Sequence, residues 1–204
     1  MVEIAPGPTR VHGAASLEPR PITAERYISP AWLDEEFERV WPHSWLFACL
    51  VRDVDEPGKY VVFDLGRESI LVSGTASGDI AAHFNVCQHR GARVMTARRG
   101  CERSFTCPYH GWTYRPDGRL VVVPDNQRFT AGGVDRSARS LKPLRVEVFL
   151  GMVWVCMDPE LPDPIQNAFH RLGIKGVSRT RSQRVKESMR SRAASGKALG
   201  RPPF

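Results

Sequence analysis

The sequence predicts a mainly β protein: an antiparallel domain of about 130 residues that follows one N-terminal helix. Two patterns carry that prediction. A helical period of apolar residues runs from Ser29 to Trp41 and stops at Pro42. From residue 46 onward the period becomes that of short strands separated by glycine and proline turns. Composition agrees with a globular chain, since 42% of the 204 residues are apolar and 25% charged. No apolar run approaches the ~20 residues that a bilayer span needs.

In the helix, Ser29 stands as N-cap and Pro30 at the first helical position, where its missing N–H costs no hydrogen bond. Asp34, Glu35 and Glu36 lie near the positive end of the helix dipole, and Leu33, Phe37, Val40 and Trp41 share one face. Trp32, Phe37, Trp41 and Trp45 are read as packing residues rather than a binding stripe. Strands are then predicted over 46–52, 59–65, 69–73, 80–86, 104–106, 113–115, 120–123, 144–150 and 152–157. Pro116, Asp117 and Gly118 supply turn chemistry for a hairpin between the 113–115 and 120–123 strands, and Gly151 separates the last pair.

Three segments follow from this reading: an extended, proline-rich arm over 1–24, the helix with the β domain over 25–162, and a basic tail over 163–204 that is expected to be disordered. The net charge of +7 belongs to that tail. Residues 170–204 hold 10 Lys and Arg against Glu187 alone, whereas residues 1–169 hold 19 against 21 Asp and Glu. The first residues lack the basic start and apolar stretch of a secretory signal, so a cytoplasmic protein without membrane contact is expected. Five cysteines, an odd number in such a chain, point to metal or redox use rather than to a disulfide framework.

Two short segments concentrate the chemistry: Cys87-Gln88-His89-Arg90-Gly91 and Cys107-Pro108-Tyr109-His110-Gly111-Trp112. Each offers one thiolate and one imidazole, a donor set that suits either zinc or a mixed-ligand iron–sulfur cluster. Gly91 and Gly111 permit close backbone approach and positive φ, Pro108 stiffens the second segment, and Trp112 could shield a bound group from water.

These segments resemble the two cluster-binding loops of a Rieske [2Fe–2S] protein. The resemblance implies a Rieske-type antiparallel β domain with a small cluster-binding subdomain. It assigns Cys87 and Cys107 to one iron and His89 and His110 to the other, with Arg90, Gly91, Pro108, Gly111 and Trp112 around them. With two thiolates the charges of two ferric ions and two sulfides cancel, so an added electron is accepted more readily than at a four-thiolate site. Ala92 and Tyr109 stand where respiratory Rieske proteins carry a disulfide pair. The string from Asn85 to Ala92, the string from Cys107 to Tyr114, and the closing Gly151–Pro159 are similar instead to the N-terminal domain of ring-hydroxylating oxygenase α subunits.

That likeness implies an oxidoreductase of dioxygenase or monooxygenase type. Its partners would be an electron-donating reductase or ferredoxin, an oxygenase catalytic domain or subunit, and further copies of the chain in a homo-oligomer. The mononuclear iron of such enzymes needs two histidines and a carboxylate, yet after His110 the sequence has only His170. Electron transfer to an iron site that this chain lacks is therefore the expected role. A freestanding Rieske ferredoxin-type carrier is the alternative, and a basic module binding nucleic acid ranks last, because no aromatic residues interleave the tail's charges. Cys49 and Cys156 are expected as buried apolar residues, Cys101 as a bystander, and His12, His43, His83 and His170 as structural or solvated.

Overall fold

The structure, a computed structural model, describes residues 21–129, 133–162 and 164–171, and beyond them Glu187, Arg190 and Ser191. The chain enters through one helical turn, α1 (Glu25–Ile28), and a longer helix, α2 (Pro30–Arg39). Ser29 occupies the N-cap of α2 as expected, but its side chain makes no capping bond. The expected dipole benefit is also absent, because the first turn holds no acid and the dipole's influence fades beyond that turn. Of the predicted apolar face only Phe37 is buried, while Leu33 and Val40 are 59% and 46% exposed. The Phe37 ring lodges against Gly66, with the Arg67 guanidinium 4.9 Å from its centroid, so α2 is pinned to the β domain chiefly at this point.

Ten strands follow among the described residues: β1 (Leu46–Leu50), β2 (Lys59–Leu65), β3 (Glu68–Gly74), β4 (Ile80–Phe84), β5 (Arg99–Cys101), β6 (Phe105–Thr106), β7 (Thr113–Tyr114), β8 (Leu120–Val122), β9 (Arg145–Phe149) and β10 (Met152–Cys156). They form three antiparallel sheets in the orders β1-β10-β9, β4-β3-β2-β5 and β6-β7-β8. β3 explains the arrangement. Its run Ser69-Ile70-Leu71-Val72-Ser73 is buried on both faces, as a continuous apolar run implies.

Alternate residues of β3 feed two separate cores. Ile70 and Val72 pack with Val54, Val148, Val153 and Val155, which joins the four-stranded sheet to the β1-β10-β9 sheet. Leu71 faces the other way, with Tyr60, Val62, Phe105, Tyr114, Leu120, Cys87 and Cys107. The four-stranded sheet is thus a floor with the candidate site built on one side. The expected Pro116–Gly118 hairpin turn is present and is fastened to this floor, since Ser73 Oγ donates to the Pro116 carbonyl at 2.7 Å.

Several boundaries differ from the sequence expectation. The first strand ends at Leu50 in a 3₁₀ turn over Val51–Asp53, where the Asp53 carboxylate accepts the Leu50 N–H at 3.1 Å. β5 was not expected: Arg99, Gly100 and Cys101 are all exposed, so no apolar alternation announces it, and it is an edge strand on β2.

The chain continues in regular structure past residue 162. Helix α3 (Ile165–Arg171) follows, with Ile165 buried, its N–H donating to Glu147 at 3.1 Å, and the Phe169 ring 4.9 Å from Phe149 and 5.4 Å from Trp154. Two anchors four residues apart are too few to register as a helical period. Residues 1–20 of the expected arm and most of the basic tail lie outside the described residues. Arg190 donates to Asp79 at 3.0 Å, an exposed ion pair of the kind worth ~0–1 kcal/mol. Among the described residues no helix is long and apolar enough to cross a membrane.

Candidate metal centre

Two loops rise from the floor, one after β4 and one between β6 and β7. They share a backbone device. In the first, the Cys87 N–H donates to the Ala92 carbonyl at 2.8 Å and the Gly91 N–H to the Cys87 carbonyl at 3.0 Å. In the second, the Cys107 N–H donates to Trp112 at 2.8 Å and the Gly111 N–H to Cys107 at 3.0 Å. Each loop therefore closes on its own cysteine through a glycine four residues on. Gly91 and Gly111 hold φ of +76° and +71°, a region that a Cβ disfavours. At Gly91 this conformation alone requires glycine, since nothing lies within 4 Å of an added Cβ. The shared cysteine-to-glycine spacing is readable in the sequence.

The closed loops bring the predicted residues together in two layers. Cys87 and Cys107 are each 2% exposed and belong to the core on Leu71. His89 and His110 sit farther out, with ring centroids 4.7 Å apart and planes at 72°. His89 is stacked on buried Trp112 at 4.8 Å and 7°, and Tyr109 lies against His110 at 3.8 Å. Trp112 thus covers one face of an imidazole. Arg90 and Pro108 are exposed.

Burial pushes the Cys87 thiol up, an effect opposed by the Tyr114 hydroxyl and reinforced by neighbouring Cys107. His89 is made less basic, first by desolvation, then by His110 and by the cations Arg90 and Arg139. Its Nδ1 is buried without a hydrogen-bond partner. Buried polar atoms are almost always paired, so an orphan here marks a position where a further group would bind.

Two supporting residues were not assigned roles from the sequence. Tyr114, fully buried, brings its hydroxyl to 3.3 Å from Cys87 Sγ and accepts the Gln88 N–H at 3.0 Å. Asn85, also fully buried, donates to the Met95 carbonyl and to Ser69 Oγ and accepts the Met95 N–H at 2.9 Å, which fixes the root of the first loop. A buried polar residue at a strand end was the available signal, but its partners are distant in sequence.

The other cysteines, and His43 and His83, lie outside these two loops. Cys49 and Cys156 are buried, the Cys49 thiol being pushed up to about 12 mainly by burial, and Cys101 is exposed on β5. All five cysteines are free. His43 bonds Asp158 at 2.8 Å, and His83 is buried in β4. His12 lies outside the described residues.

The donor set fits a two-iron cluster. Two thiols lie below and two imidazoles above. Among the described residues no three His, Cys, Asp or Glu gather closely enough to hold one metal ion. Each pair offers half of a four-ligand set, and the unpaired Nδ1 of His89 supplies a vacant donor.

The model of the Rieske [2Fe–2S] domain matches residues 44–145. The chain is 31% identical to the anthranilate 1,2-dioxygenase large subunit of Acinetobacter baylyi over 146 residues, 72% of this chain and 31% of that protein. It is 35% identical to the large oxygenase component of a Pseudomonas aeruginosa naphthalene 1,2-dioxygenase system, over 62% of this chain and 28% of that one. Among solved structures it superposes on Rhodococcus naphthalene 1,2-dioxygenase bound to indole with a TM-score of 0.66 at 32% identity, covering 71% of this chain and 33% of that chain. A quaternary ammonium Rieske monooxygenase gives 0.64 at 27% identity, covering 71% and 40%. The chain thus spans about 30% of the length of these curated relatives. What it matches in them is the N-terminal domain of ring-hydroxylating dioxygenase large subunits, and with the Rieske model laid over half of its residues this chain belongs to the Rieske [2Fe–2S] domain family.

Proposed function

We propose that this chain is the electron-transfer domain of a ring-hydroxylating oxygenase system, with its cluster held by Cys87, His89, Cys107 and His110. Its electrons would come from a reductase or ferredoxin and pass to a mononuclear iron held by residues other than these 204. When bound, the cluster supplies a one-electron couple. The observation that carries the reading is the pair of matching loops, which present two buried thiols and, above them, two imidazoles at the domain's edge.

The chain's own residues divide the work. Cys87 and Cys107 anchor the cluster on the apolar floor. Tyr114 directs a hydroxyl at Cys87 and so favours the thiolate over the thiol. Trp112, stacked on His89, excludes water from one side and fixes the ring plane. The Gly91 and Gly111 turns pair four backbone N–H groups with four carbonyls inside the loops rather than leaving them to solvent.

Iron and acid-labile sulfide are expected at about two each per chain in protein matured with a cluster-assembly system. His89→Ala or Cys107→Ser should lose both. Stoichiometric zinc in place of iron would reject the reading. Substrate-coupled O₂ uptake by this chain alone would reject the division of labour, because only His170 follows the loops and an iron site of this kind needs two histidines.

A further inference from the structure

The turn between β7 and β8 lies at the end of β7 away from the cysteine loops, since the second loop leads into that strand and Arg115 to Arg119 lead out of it. A cavity of about 330 Å³ opens beside this turn. Its apolar walls are Pro57, Ala76 and Pro116, which come from three separate segments. Backbone bonds fasten those segments to one another. The Gly58 N–H donates to the Gly74 carbonyl at 2.9 Å, the Glu102 N–H to the Gly58 carbonyl at 2.9 Å, and Ser73 Oγ to the Pro116 carbonyl at 2.7 Å. Gly58 holds φ of +87°, and a Cβ there would lie 2.4 Å from the Glu102 carbonyl oxygen, so this closure requires glycine. The cavity is therefore built into the fold rather than left between unconnected loops.

Its charge is one-sided. Arg103, Arg115 and Arg119 line it against one carboxylate, that of Asp117. That carboxylate is already taken: Arg119 donates to it from Nε at 2.8 Å, from Nη2 at 2.7 Å and from its backbone N–H at 3.1 Å. Glu56, next to Pro57, is held by Lys59 at 2.9 Å. Arg103 and Arg115 form no ion pair among the described residues, so two guanidinium groups reach the cavity uncompensated. The volume stands near the lower end of small-molecule sites, roughly 300–1,000 Å³, and admits one small ligand. Guanidinium forks match a planar carboxylate, while the proline and alanine faces offer contact to an apolar body and nothing to a hydrated inorganic ion.

We infer that this pocket binds a small carboxylate with an apolar body, of the aryl or short alkyl class. Arg103 and Arg115 hold the carboxylate, and Pro57, Ala76 and Pro116 take the hydrocarbon. No bond is made or broken, and the ligand is kept by charge-assisted hydrogen bonds and apolar contact. The site is independent of the electron-transfer reading, because none of its lining residues belongs to the two cysteine loops.

The test titrates the full cluster-loaded chain with benzoate at low salt, followed by calorimetry and by the amide resonances of Gly58 and Ala76. One saturable site is expected with a Kd of about 1 mM or tighter, within reach of a ligand of this size. Benzamide, which keeps the shape and loses the charge, should bind about tenfold more weakly or worse, and so should inorganic phosphate, which lacks the apolar body. Arg103→Gln with Arg115→Gln should weaken benzoate by about tenfold or more and leave the visible spectrum of the cluster unchanged. Arg103→Gln alone, at an exposed position, is the second arm and should weaken it about threefold. Arg52→Gln with Arg99→Gln makes the same charge change at a separate pocket by Cys101 and should alter the Kd less than about twofold. Absence of saturable binding up to about 20 mM overturns the inference. Phosphate binding as tightly as benzoate overturns it too, since the apolar walls would then contribute nothing. Equal losses in both double variants also overturn it, by assigning the attraction to overall charge.

Discussion

Replacing Ile165 with alanine tests whether α3 is part of the fold. Ile165 is 3% exposed, and its backbone N–H is held by Glu147, so the truncated side chain would leave a cavity rather than be refilled by water or a shifted neighbour. Isoleucine-to-alanine changes at such sites cost ~2–5 kcal/mol. The helix has only seven residues, however, and can undock on its own. The loss is therefore capped by the free energy of docking, to which Ile165 burial contributes ~1.5–3 kcal/mol and the two Phe169 ring contacts ~0.5–1.5 kcal/mol each before ordering entropy is deducted. A net loss of about 2 kcal/mol is expected, which for a chain of this size lowers Tm by roughly 4–8 °C. Truncation after Pro162 should produce the same shift, whereas truncation after Arg171 should produce almost none. Thermal melts followed at the cluster absorbance and by tryptophan fluorescence read both quantities, the second because Trp154 packs on Phe169. If Ile165→Ala and the cut after Pro162 both melt within 1 °C of the parent, α3 contributes nothing and the domain ends where the sequence pattern breaks.

Tyr114→Phe removes a hydroxyl 3.3 Å from Cys87 Sγ and leaves the Gln88 N–H unpaired. Hydrogen bonds to the sulfurs raise the potential, so the midpoint should drop by about 30–60 mV, 59 mV being a tenfold change for one electron, and an unchanged midpoint in protein-film voltammetry would refute the role. Cys101→Ser should keep full iron and sulfide content while Cys107→Ser loses it, because Cys101 lies exposed on β5 and Cys107 in the core; loss in both would misplace the site. His83 is held below its ordinary basicity, chiefly by burial, although Asp117 opposes the effect. A depressed native pKa means that the unfolded chain binds the proton more readily. The stabilisation is then complete above about pH 6.5 and is lost as pH falls through the native pKa. Urea midpoints measured from pH 8 down to 5 should decline below pH 6.5, and less steeply in His83→Gln; parallel curves would remove His83 as the cause.

What could be read from the sequence was what neighbours along the chain decide. The two Cys-x-His and Cys-x-x-His segments fixed the donor types, the apolar runs at 59–65 and 69–73 fixed two strands within a residue of their ends, and Pro116-Asp117-Gly118 fixed a hairpin. Each is a short-range pattern, since turn geometry and side-chain alternation depend on residues a few positions apart. The tertiary structure decided what requires residues far apart to meet. Tyr114 reaches Cys87 across 27 positions, Trp112 stacks on His89, and Asn85 ties Ser69 to Met95. β5 and α3 exist because a partner strand and a sheet face supply the hydrogen bonds and burial that their own sequences do not advertise. The exposed face of α2 shows the converse: Leu33 and Val40 carry the right period, but burial needs an opposing surface, and it is Phe37 that finds one, against Gly66 and Arg67. A periodic pattern states which side could be buried, and only the assembled fold determines whether anything covers it.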